Sequence, residues 1–157
     1  MSTTDTGVYA DLAENIKTIV NGDAGRDQKL GEICRLLADE IEVFDWVGFY
    51  LVDPDAEREL VLGPYVGEPT DHVRIPFGKG ICGQAAETEE TFIVQDVSRA
   101  SNYLSCSIHV KAEIVVPIMK DGTFVAELDI DSHTKNSITN EHRVLLEEAC
   151  ALISRLF

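Results

Sequence analysis

The sequence predicts one α+β domain, an antiparallel sheet flanked by N-terminal and C-terminal helices. Three observations predict it. Apolar residues recur with a period near 3.6 at both ends of the chain, the middle is β-rich with turn signals between segments, and no repeat, linker or low-complexity stretch divides it. The composition agrees: 157 residues, 45% hydrophobic and 26% charged, suit one hydrophobic core. The expected organisation is a single unit over 1–157, with 1–25 as an N-terminal helix and 26–157 as the domain body.

Tyr9, Leu12, Ala13, Ile16, Ile19 and Val20 lie on one helical stripe, and Asn21-Gly22 supplies a stop. A second helix is expected over about Arg26 to Glu42. Strands follow at 45–52 and 59–62, joined by the polar turn 53–57. From 63 to 107 the chain is rich in Gly, Pro, Ser and Asp. It holds a short strand near Val73–Ile75, a helix over Gly80 to Glu87 and a strand at 91–94, and such a region is where a site is expected. Strands at 112–119 and 124–131 form a hairpin about Asp121-Gly122, and Thr139 opens a closing helix over about 140–156.

Charge narrows the partners. With 13 Lys plus Arg against 28 Asp plus Glu the formal net charge is -15, which repels phosphate backbones and anionic lipid, so neither nucleic acid nor a membrane is an expected partner. No apolar run is long enough to cross a bilayer and the first residues are polar without a basic stretch, so a soluble, cytoplasmic protein is expected. Free rather than disulfide-bonded cysteines follow from a reducing compartment. Cys34 and Cys150 sit on apolar helical stripes and read as core. Cys82 and Cys106 sit among Gly, Ser, Asn and Lys and need a chemical account.

Cys82, at the mouth of the 80–87 helix, meets unpaired N–H groups that would lower a thiol pKa, and Cys106 stands in a polar loop; either is a candidate thiolate nucleophile. In an extended strand Val125, Glu127, Asp129 and Asp131 share a face. That face either meets solvent or lines a pocket in which crowded carboxylates raise one another's pKa, so that one keeps a proton to donate. With Asp121-Gly122 as the turn, Glu113 comes within reach of Asp129 or Asp131 across the hairpin, the register being left open by the sequence. His72, Cys82, Cys106 and His109 match no compact zinc spacing, so neither metal nor cofactor is expected. Trp46 is either core or the wall of a small-ligand pocket.

Trp46–Leu51, Leu62–Tyr65, Arg74–Gly83, Asp96-Val97, Glu113–Pro117 and Leu128–Ser132, in this order, resemble the free methionine-R-sulfoxide reductases, enzymes made of a single GAF domain. The resemblance implies a six-stranded antiparallel sheet with helices on one face and a ligand pocket on the other. It also implies Cys106 as the nucleophile toward free methionine sulfoxide, Glu113, Asp129 and Asp131 as substrate carboxylates, and Trp46 as the wall beside the methyl group. Thioredoxin or a small thiol would be the reductant, and a homodimer through terminal helices is the expected assembly. The chain departs from the pattern at His72, where the family usually has a cysteine, and at Glu127, usually apolar; Cys82 becomes the candidate resolving thiol. The alternative is a stand-alone GAF sensory module that binds a small ligand, or a Cys/His-bound metal, without turnover.

Overall fold

The computed structural model of the protein describes residues 3–99 and 109–157, with side chains from Gly7 onward. Helices α1 (Thr3–Val20) and α2 (Arg26–Glu40) precede strands β1 (Trp46–Val52), β2 (Glu59–Val66) and β3 (Arg74–Pro76). Helix α3 (Gly80–Thr88), strands β4 (Phe92–Val94), β5 (Ala112–Lys120) and β6 (Thr123–Ser132), and helix α4 (Asn140–Ile153) follow. The six strands form one antiparallel sheet in the order β3-β2-β1-β6-β5-β4. The expected α+β class and six-stranded sheet are therefore present. The second helix ends two residues before the expected Glu42, and β2 runs four residues past the expected 62.

One face of the sheet carries the main core. Leu12, Ile16 and Val20 of α1, Leu30, Ile33, Cys34 and Leu37 of α2, and Leu145, Leu146, Ala149, Cys150 and Ile153 of α4 pack against Val47, Phe49, Ile114, Val116, Ala126, Leu128 and Ile130. The period of 3.6 on each helix meets the period of 2 on each strand. Cys34 and Cys150 are buried here as expected, with burial pushing the Cys34 thiol up to about 12. Lys29 is buried and its Nζ donates to the Val20 carbonyl at 2.8 Å, placing a cation on the C-terminal end of α1. At the start of α4, Thr139 Oγ1 accepts from the His142 N–H and His142 Nδ1 accepts from the Thr139 N–H, each at 3.0 Å, a closed capping box.

The other face is covered by α3, whose Ile81, Cys82, Ala85 and Ala86 pack with Trp46, Tyr50, Leu60, Ile75 and Val115. Gly83 permits this closeness: a Cβ there would stand 2.7 Å from the Pro76 carbonyl oxygen. The consequence is that Cys82 is pressed onto the sheet.

Candidate functional site

The site is built on the α3 side of the sheet from residues that strand alternation aims the same way. β1 contributes Trp46, Gly48 and Tyr50; β6 contributes Asp131, Asp129 and Glu127 directly opposite them. β5 adds Glu113 opposite Asp131 and Val115 opposite Asp129. Glu127, Asp129 and Asp131 are each 0% exposed and Glu113 is 3% exposed. The solvent-facing alternative for this row is thereby excluded, because α3 and the aromatic side chains cover it.

The register that joins Glu113 to Asp131 depends on a defect in the hairpin. Asp121 and Gly122 both have positive φ, and Lys120 pairs with Thr123, as a two-residue hairpin requires. Carried onward without interruption, that register would set Glu113 opposite Ile130. Between Ile118 and Met119 the pairing shifts by one, since Met119 faces Phe124 but Ile118 faces Ala126. The extra residue, Val125, moves Glu113 onto Asp131 and so gathers the acids on one face.

Four carboxyl groups and a thiol then share a buried space. Cys82 Sγ lies 4.0 Å from Glu113 Oε2. Among the described residues no group from outside the cluster hydrogen-bonds the carboxyls of Glu127 or Asp129; what stands beside them is the Cys82 thiol and, for Asp129, the Glu113 carboxyl. Burial holds both the Glu127 and Asp129 carboxyls above the usual carboxylate range, and the Asp129 charge raises Glu127 further. Such groups keep a proton where a surface carboxylate has lost it.

The lowered thiol pKa expected for Cys82 from its place in the first turn of α3 is overturned. Burial, followed by the negative charges of Asp129, Glu127, Glu113 and Asp131, pushes this thiol well above its ordinary value. A helix terminus supplies about half a unit charge, while the sheet sets four acids against the sulfur. Cys82 is therefore a neutral thiol in this arrangement.

The aromatic wall depends on Gly48. A Cβ there would fall 2.4 Å from Trp46 Cη2 and 2.7 Å from Tyr65 Cβ, so only glycine lets the rings meet across β1. Trp46 stacks on Tyr65 at 5.3 Å between centroids and on Tyr50 at 6.5 Å. Trp46 Nε1 donates to the Glu68 carbonyl at 2.9 Å and Tyr50 Oη to the His72 carbonyl at 2.8 Å, which fixes both rings. Sequence reasoning missed Tyr50 and Tyr65, although Trp46, Gly48 and Tyr50 alternate along β1 and carried the signal.

Between the acids and α3 lies a space of about 10 Å³, lined by Tyr50, His72, Ile75, Lys79, Gly80, Ile81, Cys82, Glu113 and Asp129. It suits one water or one ion. His72 thus borders the site, whereas His109 does not: its ring lies 5.8 Å from that of His133, whose Nδ1 is 3.9 Å from Asp45. Among the described residues, the ligand atoms found within 4.8 Å of one another belong to Cys82, Glu113 and Asp129 rather than to His72 or His109. Cys106 lies outside the described residues. No helix among the described residues is long and apolar enough to cross a membrane.

The six-stranded antiparallel sheet carries its helical core on one face and this covered site on the other, and residues 27–157 match the family model described as GAF domain, so the chain belongs to that family. Its relatives there are specific. It is 30% identical over 151 residues to the free methionine-R-sulfoxide reductase of Escherichia coli, covering 96% of this chain and 89% of that one. It is 38% identical over 112 residues to that of Saccharomyces cerevisiae, covering 71% and 62%. The structure of free methionine-R-sulfoxide reductase from Neisseria meningitidis in complex with its substrate superposes with a TM-score of 0.92 at 32% identity, covering 100% of this chain and 92% of that one. Within the GAF proteins the chain is thus a member of the free methionine-R-sulfoxide reductase family, an oxidoreductase type.

Proposed function

We propose that this protein reduces free methionine-R-sulfoxide to methionine, with Cys106 as nucleophile and the buried acids as its proton source. The observation that carries the reading is the convergence of Glu113, Asp129, Asp131 and Glu127 on one enclosed face beside an aromatic wall. Sulfoxide oxygen leaves poorly unless protonated, and an acid that retains its proton at neutral pH meets that need. The sulfoxide oxygen takes the space beside Asp129 and Glu113, its methyl group rests against Trp46, and Asp131 holds the substrate ammonium.

The chemistry balances as follows. The Cys106 sulfur attacks the sulfoxide sulfur, the S–O bond breaks as the oxygen is protonated, methionine leaves, and Cys106 becomes a sulfenic acid. Cys82 then attacks that sulfenic sulfur, water departs, and a disulfide remains for a dithiol such as thioredoxin, or for a small thiol, to reduce. Because Cys82 is a neutral thiol, it needs a base, and Glu113 Oε2 at 4.0 Å is placed to take its proton. His72 occupies the position of the family's usual additional cysteine and cannot resolve a sulfenic acid.

The test is methionine release from the separate R and S epimers, with dithiothreitol or thioredoxin as reductant. Turnover confined to the R epimer supports the reading; absence of turnover with both reductants contradicts it.

A further inference from the structure

We propose that Cys82, Glu113 and Asp129 form a binding site for one thiophilic divalent cation of the zinc and cadmium class. Three elements converge to make it: α3 supplies the sulfur, β5 and β6 the oxygens, and one donor atom from each lies within 4.8 Å of the other two. A tetrahedral ion with bonds of about 2.0–2.3 Å separates its ligands by roughly 3.3–3.8 Å. The Cys82 Sγ to Glu113 Oε2 distance of 4.0 Å therefore closes onto an ion with a small rotation of either side chain.

Two further features point to a ligand. Asp129 is 0% exposed and borders this space, and both of its carboxyl oxygens are buried with no hydrogen-bond partner from outside the cluster among the described residues; only Cys82 and Glu113, the other two donors, stand beside it. That volume, about 10 Å³, is the size of an ion or a water rather than an organic molecule. Calcium and magnesium are disfavoured because they require six or more oxygen ligands, whereas a sulfur beside two carboxylates suits zinc or cadmium. On binding, the metal–sulfur bond forms and the thiol proton passes to solvent.

Binding itself does not rest on the reductase reading, but its consequence does. An ion seated here occupies the space assigned to the sulfoxide oxygen and ties up the resolving thiol, so zinc blocks turnover and a chelator restores it.

The experiment titrates the full-length reduced protein with cadmium and follows the sulfur-to-cadmium charge-transfer absorbance, with zinc competing. One ion per chain is expected. Cys82→Ser should abolish the absorbance, Asp129→Asn should weaken binding at least about tenfold, and Cys106→Ser should leave both unchanged. Retention of the band in Cys82→Ser, or its loss in Cys106→Ser alone, overturns the proposal. Thermal melting of each variant without metal checks its fold. If Cys82→Ser fails to fold, the cadmium-dependent rise in the wild-type melting temperature and its reduction in Asp129→Asn carry the test, and no rise overturns it. Failure of the reductase assay leaves the cadmium band untouched, which separates the two ideas.

Discussion

Replacing Gly48 with alanine probes the wall of the site through a single carbon. The added Cβ meets Trp46 Cη2 at 2.4 Å, Trp46 Cζ3 at 2.6 Å and Tyr65 Cβ at 2.7 Å, all inside normal contact. The indole cannot simply swing away, because Trp46 is 3% exposed and its Nε1 is tied to the Glu68 carbonyl. Tyr65 Cβ, next to its own backbone, can retreat only with β2. Overpacking of this kind costs about 1–3 kcal/mol, and in a domain of this length that lowers the melting temperature by about 2–12 °C. Gly31→Ala is the control, since its Cβ finds nothing nearer than 3.9 Å and lies within α2. Relief of the helical glycine penalty there should stabilise by roughly 0.5–1 kcal/mol. Thermal melting, tryptophan fluorescence and KM are the measurements. Gly48→Ala should melt lower, shift the Trp46 emission and raise KM more than it lowers kcat. A variant with unchanged melting and emission would refute the idea that this glycine shapes the wall.

Other outcomes follow from named contacts. His142 is buried against Phe44 and Tyr9 with Nδ1 accepting from Thr139, and burial lowers its pKa despite the opposing charge of Glu141. Below pH about 6.5 the unfolded chain takes up a proton that the folded one resists, so stability should fall with pH by up to about 1.4 kcal/mol per unit until the folded value is reached. His142→Gln, which can still close the capping box, should flatten that slope in denaturant titrations across pH 5–7. Asp129→Asn should cut kcat/KM by about a hundredfold or more, the usual worth of a positioned acid, with far-ultraviolet circular dichroism unchanged. His72→Cys should speed thioredoxin-linked steady-state turnover while leaving the single-turnover release of methionine as it was.

Much of this fold was legible because its periods are local. The stripes of α1, α2 and α4 and the alternation of β6 can be read from neighbouring residues, as can the hairpin at Asp121-Gly122. Burial of Glu127, Asp129 and Asp131 was one of two open readings, since the lid that covers them, α3, lies some forty residues earlier. The pairing of Glu113 with Asp131 depends on the slip at Ile118, which turn chemistry alone does not encode. The Cys82 thiol was misjudged for a related reason: its helix position is local, but the four acids that dominate it arrive from β5 and β6. Tyr50 shares its face with Trp46 and Gly48 by strand alternation and is legible on that ground, whereas Tyr65 joins the wall only through the pairing of β2 with β1.

Mixing enzyme with a single equivalent of the R epimer and counting methionine before any reductant is added tests the thiol chemistry most directly. Wild-type protein should release about one methionine per chain by the one-thiol stoichiometry of such reductases, and Cys106→Ser should bind the sulfoxide yet release none. Equal release by the two proteins would contradict the assignment of Cys106 as the attacking sulfur.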